Sequence, residues 1–258
     1  MVNDKSLEFI YELFDPSMSR LGPGNDPSTN KALDTLFSAG LKPSGQLRVL
    51  DIGCGNGAQT LQLAKRIDGT ILAVDNHQPY LDELRRRAES GGVAGKIRTC
   101  CKDMNELRPE DGPFDLIWSE GALYSMGFGH GLRTCRSLLD AGGFMMASEL
   151  CWFTPDPPEE CRSFFDREYP AMADIDANLA LIAKSGLEPV DHFILPKAAW
   201  WEPFYLPLEA RIQTLREKYA GVPDRLRMVE SALLEIDQFW NFCRYYGYVY
   251  FMMRPRQA

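Results

Sequence analysis

Val49-Leu50-Asp51-Ile52-Gly53-Cys54-Gly55-Asn56-Gly57 decides the fold. An apolar run ends in an acid, three glycines follow at alternate positions, and a segment of helical spacing begins at Ala58. Glycine lets a backbone turn sharply and lets a ligand approach main-chain atoms that a Cβ would shield. A helix start presents unpaired N–H groups. The glycine spacing also excludes alternatives. A dinucleotide fingerprint, GxGxxG, places its third glycine three positions after the second. Here the pattern is GxGxG, and no GxxxxGK[ST] phosphate loop occurs.

Outward from this turn the chain alternates. Apolar runs at 47–51, 70–75, 96–101, 114–118 and 143–149 read as strands. Helical spacing separates them at 58–66, 79–90 and 131–139. Strands alternating with helices predict a parallel sheet covered on both faces. Upstream, 7–14 and 28–38 read as helices, the second with a Ser/Thr cap. Downstream, helices are expected at 158–168 and 174–185, with strands at 187–195 and 246–253. The intervening residues 196–245 carry two further helices, from Pro207 and Pro223, and are too long for a turn. They are too few for a core of their own, so they are expected to form a lid on one domain. The expected organisation is one domain over 1–258. It has an N-terminal cap at 1–44, a core sheet from 45–195 and 246–258, and a lid at 196–245.

Composition narrows the class. Of 258 residues, 45% are hydrophobic and 25% charged, which suits a globular chain and not a disordered one. The formal net charge is −8, from 28 Lys and Arg against 36 Asp and Glu, so a broad grip on nucleic acid is not expected. Arg85-Arg86-Arg87 is the one tight basic run, and a helix would splay it into a solvated face. The seven cysteines are odd in number and include no CxxC pair, which argues against a disulfide framework or zinc site and for a reducing, cytoplasmic compartment. The N-terminus has no secretory signature, and no run approaches the roughly 20 apolar residues of a membrane span. A homodimer is compatible with all of this.

The glycine turn resembles the first motif of class I S-adenosylmethionine-dependent methyltransferases, (V/L)LDxGxGxG, and matches it completely. Three further segments fall where that family places them: Asp75 ending the second strand, Lys102-Asp103-Met104 after the third, and Phe114-Asp115 through Leu123 at the fourth. The small-molecule enzymes of the ubiquinone and menaquinone type look most similar. The resemblance implies an α/β fold: a Rossmann-like, seven-stranded, mostly parallel sheet with helices on both faces. It implies S-adenosyl-L-methionine as methyl donor, S-adenosyl-L-homocysteine as product, and a small-molecule methyl acceptor.

For the donor it implies the glycine turn with Cys54, Gly55 and Gly57. Asp51 and the Gly53 carbonyl would lie near the methionine amino group. Asp75 would meet the ribose hydroxyls, Asp103 the adenine amino group, and Asn76 and Met104 the adenine faces. Tyr11, Arg20 and Glu120 are further donor contacts. If the acceptor must lose a proton, the candidate bases are Glu120, Tyr124, His130 and Glu149, with Glu120 first. His77 is expected near the adenine rim or in solvent, and His192 in a structural role.

Trp118, Tyr124, Trp152, Phe153, Trp200, Trp201, Phe204 and Tyr205 gather in the less regular segments. They read either as an aromatic wall around an acceptor or, with greater weight, as lid packing. Phe239 and Trp240 have plain core spacing with Leu233, Ile236 and Cys243. Two rival functions stay open: methylation of RNA or protein, and a non-catalytic module that binds S-adenosylmethionine or S-adenosylhomocysteine.

Overall fold

A computed structural model describes residues 4–42 and 46–256, with side chains from Leu7 onward. The boundary at 44/45 and the outermost residues of the 1–258 assignment lie outside the described residues. The chain opens with two helices, α1 (Asp4–Leu13) and α2 (Asp26–Ser38). The alternation follows: β1 (Leu47–Ile52), α3 (Ala58–Arg66), β2 (Gly69–Asp75), α4 (Gln78–Ser90), β3 (Ile97–Cys101), β4 (Phe114–Ser119), α5 (Phe128–Leu138) and β5 (Leu139–Trp152). Then come α6 (Glu159–Glu168), β6 (Ala173–Asp174), α7 (Ile175–Lys184) and β7 (Leu187–Ile194). The chain closes with α8 (Ala198–Trp200), α9 (Leu206–Lys218), α10 (Pro223–Phe242) and β8 (Tyr246–Pro255).

The sheet order is β3-β2-β1-β4-β5-β8-β7. β1 to β5 run parallel, and β8 lies antiparallel between β5 and β7. The chain leaves β1 toward β3 and crosses back to start β4 on the other side of β1. That reversal opens a crevice at the C-terminal ends of β1 and β4. The Ser119 hydroxyl donates to the Ile52 carbonyl at 3.0 Å and pins the two strands at the crevice.

Several expectations need correction. β6 is an eighth strand, a two-residue piece paired with Cys151 and Trp152. β5 is longer than 143–149, because its ends pair with Phe114 and with Tyr246. Partner strands, not local periodicity, set that length. α2 starts at Asp26, because the Asn25 side chain accepts from the Ser28 N–H at 2.9 Å and Pro27 is tolerated in a first turn. The lid helix starts before Pro207: backbone 198–218 is helical throughout, with a π-turn at Trp201–Tyr205. That turn accommodates Pro203, which has no N–H for a regular helical bond. Trp240 is not core, being 68% exposed, whereas Ile236 and Phe239 are buried.

Arg87 is also not a solvated arginine. It donates to the carbonyls of Pro16, Met18 and Ser19 at 3.1, 2.7 and 3.2 Å. Asn56, inside the glycine turn, donates to the carbonyls of Pro16 and Met18 at 3.1 and 2.6 Å. The segment after α1 is thus tied down to α4 and to the glycine turn. Cap and lid are tied to each other by Arg211, which donates to the Glu12 carbonyl at 3.0 and 2.9 Å, and by the Gly24 N–H, which donates to the Ala199 carbonyl at 2.9 Å. They form one roof over the C-terminal ends of the central strands. No helix among the described residues is long and apolar enough to cross a membrane.

Gly57 has φ 84° and opens α3 against α4, where a Cβ would stand 2.1 Å from Leu84 Cδ1. Gly57→Ala is therefore expected to lose about 2 kcal/mol or more of stability in denaturant unfolding. Combination with Leu84→Ala is expected to cost less than the sum of the two single changes.

Candidate active site

Beneath the roof lies a cavity of about 1050 Å³ at the C-terminal ends of β1, β2 and β4. Its first half is built by the glycine turn. Gly53, at φ 66°, passes so close to the loop after β4 that a Cβ would stand 2.3 Å from Ala122 Cβ. The N–H groups of Gly53 and Cys54 donate to the Val74 carbonyl at 2.9 and 3.0 Å. The turn is thereby fixed against β2. Gly55 faces the cavity, and its N–H donates to Asp75 Oδ2 at 2.9 Å. The His77 N–H donates to Oδ1 at the same distance. Two backbone donors thus aim a carboxylate that lines the cavity. Burial raises the Asp75 carboxyl above its ordinary value, opposed by these N–H groups.

Tyr11, Arg20, Gly53, Cys54, Gly55, Asp75, Asn76, Asp103, Met104 and Glu120 all line this cavity. Tyr11 lies flat on His77, with ring centroids 3.6 Å apart, at the end of β2. Asp103 accepts from the Asn105 N–H at 2.8 Å and caps a short turn.

Two acids of the motif set are placed elsewhere. Asp51 is fully buried behind the turn and does not line the cavity. It accepts from the Thr60 hydroxyl at 2.5 Å and from Gln59 Nε2 at 3.4 Å. Burial pushes its carboxyl up to about 7. Gln59, which does line the cavity, carries the contact outward. Asp115 sits at the opposite end of β4, where it accepts from the Arg48 N–H at 2.7 Å. Gly57 likewise serves packing, not the cavity wall.

The candidate bases separate. Glu120 is not a free base. Its oxygens accept from Arg20 Nη1 at 2.9 Å, the Tyr250 hydroxyl at 2.9 Å, the Thr29 hydroxyl at 2.8 Å and the Trp118 indole at 3.0 Å. Both side chains of the Arg20–Glu120 pair are nearly closed off, at 7% and 4% exposure. His130 lies in the first turn of α5, exposed and away from the cavity. Tyr124 lines the cavity. Glu149 pairs with no cation among the described residues; it accepts from the Tyr169 hydroxyl at 2.6 Å. His192 is exposed and stacks on Phe251 at 6.0 Å.

The far half of the cavity adds α6 and the last paired strands, which carry no sequence motif, to the expected lid. Phe164, Phe165, Arg167, Glu168 and Tyr169 come from α6 and its end, Ser231, Leu234 and Glu235 from α10, and Leu150, Tyr246 and Tyr248 from the paired strands β5 and β8. Trp200, Phe204 and Tyr205 are both buried lid packing and cavity wall, so the two readings of the aromatic cluster describe the same side chains. The alternation of Tyr246 and Tyr248 is a usable signal, since alternate strand residues share a face.

Residues 49–143 match the family described as a methyltransferase domain, and with the doubly wound sheet, the glycine turn and the crevice this marks an S-adenosylmethionine-dependent methyltransferase. It is 25% identical over 220 residues to the 27-O-demethylrifamycin SV methyltransferase of Amycolatopsis mediterranei (strain S699), covering 82% of this chain and 76% of that one. It is 30% identical over 173 residues to a ubiquinone biosynthesis O-methyltransferase of Caulobacter sp. (strain K31), covering 67% of this chain and 59% of that one. Its fold matches the S-adenosyl-L-homocysteine complex of a SAM-dependent methyltransferase from Geobacter sulfurreducens, with TM-score 0.78, 20% identity, and 96% and 98% of the two chains covered.

Removing one member of the buried pair leaves the other uncompensated. Arg20→Met is expected to cost about 3–5 kcal/mol in chemical unfolding, most of it recovered when Glu120→Gln is added. The Asp51 carboxyl, raised from 3.8 to about 7, holds its proton in the folded chain where the unfolded chain releases it. Its contribution to stability is therefore full below about pH 4 and declines as pH rises toward 7. Melting temperatures across that range are expected to fall less steeply in Asp51→Asn.

Proposed function

We propose that this chain transfers the methyl group of S-adenosylmethionine to a small-molecule acceptor enclosed between the glycine turn and the roof. One observation carries the reading. The aimed carboxylate of Asp75 and the glycine turn share a single cavity with an aromatic compartment from α6, the lid and β8. A module that only held the donor would have no use for that second compartment. Enclosure by cap and lid supports a small acceptor over RNA or a protein chain. Seven free thiols support a reducing, cytoplasmic setting.

The residues present fit the donor. Asp75 would take the vicinal ribose hydroxyls on its remaining lone pairs, its carboxylate already oriented by Gly55 and His77. Asn76, Asp103 and Met104 would meet the adenine. The Gly53 carbonyl and Gln59, backed by Asp51, would meet the cationic methionine end. Tyr11 would close the mouth over β2. S-adenosylmethionine supplies a methyl carbon activated by a sulfonium, which an acceptor nucleophile displaces in line. The chain's own contribution is to hold the two reactants in register and exclude water, and such positioning is worth several kcal/mol of barrier. Arg20 and Glu120 serve this by holding the cap on the sheet.

Titration calorimetry with S-adenosylhomocysteine tests the reading. Asp75→Ala removes hydrogen bonds to a charged group and is expected to weaken binding about 100-fold. A folded wild type that binds neither donor nor product, or an unchanged affinity in Asp75→Ala, would overturn it.

A further inference from the structure

Glu149 is the buried acid that the donor half does not use. It sits on β5 at 2% exposure, with Oε1 accepting from the Tyr169 hydroxyl at 2.6 Å and Oε2 without a partner in hydrogen-bond geometry among the described residues. A buried carboxylate oxygen left unpartnered is rare and calls for a reason. A glutamine would anchor Tyr169 equally well at a smaller desolvation cost, so anchoring alone does not account for the acid. Tyr169 is the member of the pair that reaches the cavity wall, edge-on to Tyr124 at 5.9 Å.

The geometry points to Tyr169 and Glu149 as a proton relay for an acceptor that carries an ionisable hydroxyl, a phenol or an enol. The inference rests on the methyl-transfer reading above. In the relay, the acceptor hydroxyl gives its proton to Tyr169 Oη while the Tyr169 proton passes to Glu149 Oε1. The acceptor oxygen then forms the new C–O bond as the methyl–sulfur bond breaks, and the sulfonium becomes a neutral thioether. The relay ends with a neutral Glu149, the form that burial favours. Leu150, Phe165, Trp200 and Tyr246 give the same compartment apolar and aromatic walls suited to a flat ring.

The surroundings agree. Burial pushes the Glu149 carboxyl up to about 7, against the Tyr169 hydroxyl and the Leu150 N–H, which lower it. A base poised there is half ionised near neutral pH, where general-base catalysis is most effective. The ionisable groups that face it are Tyr169 after α6, Tyr124 after β4, Tyr248 on β8 and Cys151 on its own strand, with Asp174 facing Cys151. None is a cation. Burial and the Glu149 carboxylate both hold the Tyr169 hydroxyl far above its ordinary value, so Tyr169 passes a proton on without resting as tyrosinate.

The test uses the full chain, with catechol and 4-nitrocatechol as probes and a donor labelled in its methyl group. The second probe has a hydroxyl that ionises near neutral pH and so needs less help. Calorimetry with S-adenosylhomocysteine first establishes that Glu149→Gln and Tyr169→Phe bind product as the wild type does. For the wild type, the catechol rate is expected to rise with pH to a plateau above about 7. Both variants are expected to lose about 100-fold on catechol, and much less on 4-nitrocatechol. The ascending limb is expected to vanish in Glu149→Gln. Equal losses on the two probes, or variant rates close to wild type, would overturn the relay. A wild type that binds product but methylates benzylamine and neither catechol would overturn the hydroxyl assignment, as would one that methylates no probe. A wild type that binds no product instead sinks the underlying methyl-transfer reading.

Discussion

Arg20 and Glu120 meet at 2.9 Å with almost no exposure on either side, and the placement of the cap follows from that contact. Taking both charges out of water costs several kcal/mol per ion, and attraction alone seldom offsets it. Here the hydroxyls of Thr29 and Tyr250 and the indole of Trp118 join the guanidinium, so each carboxylate oxygen accepts two hydrogen bonds. The donors come from α2, β4 and β8 and from the turn before α2. One acid therefore ties the cap to the middle of the sheet at the crevice.

The roof repeats this logic with weaker bonds. Asn56 and Arg87 hold the carbonyls after α1 from below, while Arg211 and the Gly24 N–H join cap to lid from above. The π-turn at 201–205 lets a proline sit within a helical run. It also places Phe204 and Tyr205 in the core and on the cavity wall. Phe204 meets Phe14 of the cap at 6.1 Å, so the aromatic wall and the cap–lid joint share side chains. Substitutions there are expected to disturb stability and acceptor enclosure together.

The glycine-turn half of the cavity is largely legible in the sequence because its signals are local. Gly53, Gly55 and Asp75 sit at strand ends that periodicity locates, and the backbone N–H groups that aim Asp75 belong to neighbouring turns. Even there, Asp51 carries the motif's acid yet faces Thr60 behind the turn, since a pattern of residue types does not record which way a side chain points. Glu120 was read as the leading base from its position after β4. Its partner Arg20 lies 100 residues away, and a contact of that separation leaves no trace in spacing.

The sequence by itself determined the sheet, its crevice and the chemistry of the turn at that crevice. Strand and helix periods and glycine positions act within a few residues, so one chain displays them. Only the tertiary structure decided which acids are tied up by hydrogen bonds, as Glu120 is, and which keep an oxygen unpartnered, as Glu149 does. It also decided that the far wall would be assembled from α6, α8 to α10, and the β5–β8 pair. Those segments meet because the lid and the last strand fold back over β5. The burial that raises Glu149 and leaves one of its oxygens unpartnered exists only once they have met.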